Sequence, residues 1–454
     1  MIISTEIKNY LLSQLPAFIS KCPSAKITSL EDAENFTEEI VKIFSRMTLQ
    51  HFADQISAKN SCQGASIECP CGKRARFVDH RRRSVVSPQG EIAIKRAYYH
   101  CKNCGRGQSP WDKENGLNQR IYTPKLKAHI AVTMSHLPYQ SGCNLMKRLI
   151  DFDIQASSAE EIVQELGTRL RGEENQEIVR AEAASLRALA EHFGEDVPPL
   201  SALPIPSHAA HAKQGDRLYV SLDGAMAHID KEWHEIKSAV VYTAKKDEDG
   251  HDTLFESAYV GSREPASQFG KRFSRLASAW SIGSYREVVA LADGAHSNWT
   301  LIGEMFPKAI QILDFFHASE HLSAVADAVH GGSNASSRAL WKTLSDLLRE
   351  KGSKLVIGAL KSIETEDAKA LEVIQRECNY FVTNENRTQY HEYLSKGLMI
   401  GSGVIEATCK VLVGQRLKQA GMKWVQSGAD AMLALRARVL NGDEAALQRC
   451  ARAL

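Results

Sequence analysis

Two aspartates open the chemical case. Asp223 follows the apolar run Leu218-Tyr219-Val220-Ser221-Leu222, Asp293 follows Val288-Val289-Ala290-Leu291-Ala292, and Gly-Ala comes after each. A short apolar run bounded by Asp-Gly reads as a buried strand that delivers its last side chain to the edge of a sheet. Carboxylates delivered from neighbouring strands are hard oxygen donors for cations such as Mg2+ or Mn2+. Two such ions about 3.5–4 Å apart would activate an attacking hydroxyl and neutralise a leaving oxygen in phosphoryl transfer. One Asp-Gly is equally an ordinary strand-ending turn; its recurrence at a second strand end favours chemistry.

A third acid, Glu406, stands in Gly401-Ser402-Gly403-Val404-Ile405-Glu406-Ala407, at the expected start of a long helix. Complementing the helix dipole is its plain alternative role. The same helix is expected to carry Lys410, Arg416, Lys418 and Lys423 with no acid between Lys410 and Lys423, a composition that suits a surface beside phosphates. Asp314-Phe315-Phe316-His317, followed by Glu320 and His321, offers another acid and histidine for metal ligation or an orienting hydrogen bond. Asp314 competes with Glu406 for the third acidic position.

Ten cysteines in 454 residues are too sparse for a disulfide scaffold, but four sit at metal-ligand spacing: Cys69 and Cys71 in Cys-Pro-Cys-Gly, Cys101 and Cys104 in Cys-Lys-Asn-Cys-Gly. Four thiolates make the tetrahedral soft shell that structural zinc takes. The first pair has one intervening residue where two are usual, so Cys62, His80 and His100 remain alternative ligands. Between the pairs, Val85-Val86, the turn Ser87-Pro88-Gln89-Gly90 and alternating Ile92 and Ile94 read as a hairpin of short strands. From Lys73 to Arg106 there are ten Lys and Arg against two acids, a local net charge of +8 in a chain whose total is +2. Arg81, Arg82, Arg83, Lys95 and Arg96 on this hairpin are the candidate phosphate contacts.

These sites need positioning elements, and the chain reads as α/β multidomain. Residues 1–60 have helical spacing and form an N-terminal arm; 61–115 form the zinc-ribbon-like hairpin domain; 116–200 form a helical region. There, Tyr139 to Leu170 reads as two helices broken at Asp151-Phe152-Asp153, a possible helix-turn-helix with Ser157 or Ser158 as the second cap. Two ordinary packed helices fit the same pattern. A proline-rich stretch, Val197 to Pro206, marks a domain boundary. Residues 201–330 give β-β-β-α-β-α-β, the order of an RNase H-like core: strands at Arg217–Leu222, Glu235–Tyr242, Leu254–Val260, Val288–Ala292 and Ala309–Leu313. Residues 331–400 read as a helical insertion within an all-helical stretch from 318 to about 396, and 401–454 as the final catalytic helix and tail. No apolar run is long enough for a membrane span and the N-terminus lacks a secretory pattern, so an intracellular, membrane-free location is expected.

Taken together, Cys-Pro-Cys-Gly at 69–72, Arg-Ala-Tyr-Tyr-His-Cys-Lys-Asn-Cys-Gly at 96–105, Ser-Leu-Asp-Gly-Ala at 221–225, Ala-Asp-Gly-Ala at 292–295, Leu-Asp-Phe-Phe-His-Ala-Ser-Glu-His-Leu at 313–322 and Gly-Ser-Gly-Val-Ile-Glu-Ala at 401–407 resemble bacterial insertion-sequence transposases of the ISKra type, related to the Mutator-like superfamily. The resemblance spans most of the chain. It implies that Asp223 and Asp293 match the two catalytic aspartates and Glu406 the glutamate of the last core helix. It also implies that Asp314 and His317 match a Cys/Asp-x-x-His element near the active site, that the helices between His317 and Gly401 are the insertion domain, and that the short Cys-x-Cys pair is normal. The implied function is recognition of terminal inverted repeats in double-stranded DNA, end cleavage and strand transfer into target DNA through Mg2+, in a homo-oligomeric complex at the bacterial nucleoid. A structure-selective nuclease on the same scaffold and a non-catalytic DNA-binding derivative are the alternatives.

Overall fold

The computed structural model describes residues 5–20, 26–59, 62–117, 120–192, 217–246, 252–280 and 282–454. The chain divides into two compact units: Met1–Leu166 with Glu444–Leu454, and Gly167–Asp443. The division therefore falls earlier than the expected boundary near residue 200, and the last helix belongs with the N-terminal unit. The proline-rich stretch 197–206 lies outside the described residues.

The first unit starts with helices α1 (Thr5–Ile19) and α2 (Leu30–Lys59) and then a four-stranded antiparallel sheet in the order β1 (Ser66–Glu68), β2 (Arg74–Ser87), β3 (Gly90–His100), β4 (Gly107–Gln108). The expected hairpin is longer than its apolar residues suggested, because β2 pairs with β3 all the way from Arg76↔His100 to Ser87↔Gly90, with a bulge between Phe77 and Asp79. The exposed edge of β3 is covered by α2: Gln50 Nε2 donates to Ala93 O at 2.6 Å while Gln50 Oε1 accepts from Ala93 N–H at 2.8 Å. A side-chain amide thus completes the ladder and blunts the edge. Short α3 (Pro110–Glu114), then α4 (Pro124–His136) and α5 (Tyr139–Ile150) follow. Asp151 ends α5 in a left-handed conformation, φ 51°, and α6 (Ala156–His192) begins after four more residues. Ser157 and Ser158 lie inside its first turn, so neither is the cap. The C-terminal helix Glu444–Ala453 packs on α4.

The second unit is built on a five-stranded sheet in the order β7-β6-β5-β8-β9. Its strands are β5 (Arg217–Ile229), β6 (Glu232–Lys246), β7 (Asp252–Ser262), β8 (Glu287–Ala292) and β9 (Ile310–Leu313). The first three are antiparallel neighbours, and β8 and β9 add in parallel beside β5. Parallel strands require crossovers, supplied by α7 (Ala266–Ala279) and α8 (His296–Met305). Phe269, Phe273, Leu276, Trp299 and Ile302 bury these helices against Val220, Val240 and Leu291.

After β9 the chain is helical as expected: α9 (Phe315–Val329), α10 (Ala335–Lys351), α11 (Ser353–Lys361), α12 (Ala368–Thr383) and α13 (Tyr390–Ser395). The expected long helix from 401 onward is instead broken into α14 (Gly403–Cys409), a π turn at Lys410–Gly414 and short α15 (Gln415–Leu417) before α16 (Gln426–Leu440). A π turn leaves carbonyls without their ordinary helical donors. The buried Arg436 guanidinium takes up Leu412 O at 3.0 Å and also Val411 O. The part of α6 from Gly167 onward belongs to this unit, where buried ion pairs tie it to α7 and α16: Glu174 meets Arg272 at 2.8 Å, and Glu177 meets both Arg275 and Arg438. No helix among the described residues is long and apolar enough to cross a membrane.

Candidate functional site

Asp223 does not end its strand. β5 continues to Ile229, still paired with β6 through Asp223↔Ser238, whereas its parallel pairing with β8 stops at Ser221↔Leu291. Two residues further along each segment the same register aligns Asp223 with Asp293, just past the end of β8; β5 is next bridged on that side at Ile229↔Trp424. Adjacent parallel strands in register thus bring together two acids seventy positions apart.

Each carboxylate is oriented. Asp223 Oδ1 accepts from the Gly224 N–H at 2.6 Å, and Oδ2 lies 3.8 Å from the Cys409 thiol. Asp293 Oδ1 accepts from Ala295 N–H at 3.0 Å and Asn298 Nδ2 at 2.8 Å, leaving Oδ2 without a hydrogen bond among the described residues. Burial pushes the Asp223 carboxyl above its ordinary range; the charges of Asp293 and Glu406 add to that push, opposed by the Gly224 N–H. Like charges held together in this way are what a divalent cation relieves.

Glu406 is exposed in the first turn of α14, with Lys410 at 3.9 Å. Cys409 is one turn further on, and residues three apart share a helix face, so the turn that lays Cys409 against Asp223 also carries Glu406 toward it. Burial and the Asp223 charge push the Cys409 thiol up to about 12, with Lys418 opposing them. Asp314 is placed differently. It is buried, its Oδ1 caps α9 by accepting from Phe316 N–H at 2.9 Å, and its Oδ2 accepts from the Ser402 hydroxyl. Because Ser402 immediately precedes α14, Asp314 anchors the helix that carries Glu406. His317, half-buried in the first turn of α9, lies 3.6 Å from Glu320 and edge-on to His321.

The cysteines form a separate centre. Cys69, Cys71, Cys101 and Cys104 are the one group of three or more His, Cys, Asp or Glu among the described residues whose ligating atoms all lie within 4.8 Å of one another; Asp223, Asp293 and Glu406 are more openly spaced. The Cys69–Cys104 and Cys71–Cys101 sulfurs are 3.6 and 3.7 Å apart, against an edge of about 3.8 Å for a tetrahedron with 2.3 Å metal–sulfur bonds. Four sulfurs so placed could bind a metal such as zinc. The one-residue difference between the pairs is absorbed in the turns: Gly72 N–H returns to Cys69 O across three residues, Gly105 N–H to Cys101 O across four. Both glycines adopt positive φ, 79° and 69°, which a side chain would oppose. The Lys73 backbone N–H holds the Cys71 thiol down to about 6. Cys62 instead faces Gly64 O and the Tyr99 hydroxyl, and neither His80 nor His100 joins the group.

The basic residues separate by strand parity. With Arg81↔Arg96, Arg83↔Ile94 and Val85↔Ile92 in register, Arg81, Arg83 and Arg96 share the face that holds Val85, Ile92, Ile94, Trp111 and Leu117. Arg83 and Arg96 are consequently only partly exposed, ion-paired at 2.7 and 3.0 Å with the buried Asp112. Both were expected as phosphate contacts, but alternation turns them inward. Arg81 is half-exposed, paired with Asp79 and lying over Tyr98 at 3.6 Å. Arg82 and Lys95, direct cross-strand partners, are exposed on the opposite face. Similarly, Lys410 and Lys418 are exposed but Arg416 is wholly buried, 4.9 Å from the Trp424 ring.

Asn298, Cys409, Ser402, Glu377 and Tyr380 were not singled out in the sequence. Tyr380 packs where Gly294 leaves room: a Cβ there would fall 2.5 Å from its hydroxyl. Only the paired positions of Asp293 and Asn298 around a helix start gave any signal; the others depend on neighbours dozens of residues away. Compared with models of known families and with curated proteins, the chain matches none.

Proposed function

We propose that this chain is a DNA transposase of the DDE type, with β5–β9 as an RNase H-like core and α9–α13 as a helical insertion within it. The observation that carries the reading is the register of β5 and β8, which aligns Asp223 with Asp293 while the charge of Glu406 reaches Asp223. The order β7-β6-β5-β8-β9, three antiparallel strands followed by two parallel ones, suits that core. Asp223, Asp293 through its Oδ2, and Glu406 would hold Mg2+ or Mn2+, which when bound supplies an activated hydroxyl and neutralisation of the leaving oxygen. Asp314 serves by anchoring α14 rather than by ligation, and His317 lies at the start of the helix it caps. Because the Asp223 carboxyl is raised, protons compete with the cation there, so metal affinity falls as pH falls through that raised value.

Arg82, Lys95, Lys410 and Lys418 are the exposed cations we assign to phosphate, and zinc is the metal we assign to the cysteines. Substrates are DNA with terminal inverted repeats and a target duplex, bound by several copies of the chain in a bacterial cell. Asp223→Asn, Asp293→Asn and Glu406→Gln should each abolish Mg2+-dependent end cleavage and retain DNA binding. Undiminished cleavage by all three would refute the assignment. Pre-cleaved ends that yield joined product separate a transposase from a nuclease, and binding without cutting by the wild type would point to a non-catalytic protein.

A further inference from the structure

The helical segment between Asp314 and Glu406 brings a histidine to the carboxylate edge in a manner that packing alone does not require. Glu377, on α12, is 2% exposed, yet it carries a charge. Burial alone would push its carboxyl up, but His321 and Arg376 hold it below the ordinary range. Its Oε2 is 2.5 Å from His321 Nδ1 and its Oε1 accepts from Arg376 Nε at 2.7 Å. An ionised carboxylate can only accept, so Nδ1 is the protonated nitrogen and Nε2 faces away from Glu377. His321 keeps 27% of its side chain exposed, and Nε2 has no hydrogen-bond partner among the described residues.

The ring is also fixed in its plane. It stacks on Tyr380 with centroids 3.7 Å apart and 19° between planes, and Tyr380 in turn presses on Gly294, the residue after Asp293. One stacking layer therefore separates the imidazole from the turn that carries Asp293. A buried carboxylate, an oriented imidazole and an aromatic backing make a preorganised anion contact. The groups against it are Glu377 and Tyr380 from α12 and His317 from its own helix; Arg376 holds the other oxygen of Glu377, and Glu320 lies beside His317.

We propose that His321, oriented by Glu377 and backed by Tyr380, is a substrate-contacting residue whose Nε2–H donates to a phosphate oxygen of the DNA strand lying across Asp223 and Asp293. The inference rests on the carboxylate reading above. Donation from Nε2 while Nδ1 donates to Glu377 requires the doubly protonated ring, flanked by carboxylate on one side and phosphate on the other.

The test is binding of a labelled duplex from the DNA flanking the gene over a salt series, with Ca2+ replacing Mg2+ so that no cutting intervenes, for four folded proteins. His321→Gln should bind more weakly than the wild type and flatten the dependence of log affinity on log salt by about 0.9, the share of one phosphate contact. His321→Lys keeps a cation at the position and should retain the wild-type slope. Glu377→Gln removes the carboxylate that orients the imidazole and should weaken binding. A wild-type salt slope identical to that of His321→Gln, or His321→Lys binding no better than His321→Gln, overturns the proposal. Mg2+-dependent cleavage measured alongside keeps the two readings apart: if it persists in wild type and fails in Asp223→Asn, the carboxylate site stands even where the histidine contact falls.

Discussion

Replacing Asp112 by alanine tests the division of the hairpin arginines into structural ones and those proposed to contact DNA. Asp112 keeps 10% of its side chain exposed, Arg96 11% and Arg83 19%, and both guanidiniums depend on that single carboxylate for their ion pair. Removing one partner of a buried pair costs about 3–5 kcal/mol because the remaining charge is left uncompensated. Here the two arginines can still turn partly to water, which places the expected loss near the lower end, about 3 kcal/mol. In a unit of this size, 1 kcal/mol moves the melting temperature by about 2–4 °C, so Asp112→Ala should melt about 6–12 °C below the wild type. Arg82→Ala with Lys95→Ala removes exposed charges and should change stability by no more than about 0.5 kcal/mol per site. For DNA the expectation is reversed: each cation withdrawn from a phosphate flattens the dependence of log affinity on log salt by about 0.9. Thermal unfolding by circular dichroism and anisotropy titrations over a salt series read the two effects separately. Wild-type melting of Asp112→Ala, or an Arg96→Ala variant that melts normally but loses the salt slope, would show that the buried pair is not structural.

Zinc analysis should find about one ion per chain, released by Cys101→Ser with Cys104→Ser; a metal-free wild type with a native melting curve would rule out the cysteine centre. Glu264 is held at about 2, first by its hydrogen bond from Arg272. A carboxyl depressed on folding contributes stability that is complete above its unfolded value and lost as pH falls through the folded one. Urea midpoints should therefore fall between the ordinary glutamate range and about pH 2, and Glu264→Gln should flatten that decline. Gly294→Ala would set a Cβ 2.5 Å from the Tyr380 ring, which His321 keeps from swinging aside. It should cost about 1–3 kcal/mol by overpacking and impair cleavage, whereas adding it to Tyr380→Ala should cost little more than Tyr380→Ala alone; simple additivity would contradict the clash.

Much of the fold was legible because its signals are local. Apolar runs ending in Asp-Gly located β5 and β8, helical periodicity located α9 to α13, and two cysteine pairs around a turn located the hairpin that brings the four cysteines together. All five strands of the larger sheet fall where the sequence placed them. Their lengths do not: β5 runs on past Asp223 because β6 continues to pair with it after β8 has ended, and no residue within β5 records what its neighbours do.

The sequence alone determined which side chains were available and, for most of them, whether they lie on a strand or a helix, since those properties follow from residue type and short-range periodicity. Only tertiary structure decided which side chains meet. Parity in a paired register turned Arg83 and Arg96 inward to Asp112 and left Arg82 and Lys95 outside. A π turn and a break after Leu417 replaced the expected long basic helix and buried Arg416. Asp314, an equal rival of Glu406 by type, became the buried cap that anchors the α14 helix, because its oxygens met Phe316 N–H and the Ser402 hydroxyl. The alignment of Asp223 with Asp293 depends on a hydrogen-bond register between strands seventy residues apart, and a register is a property of two chain segments at once.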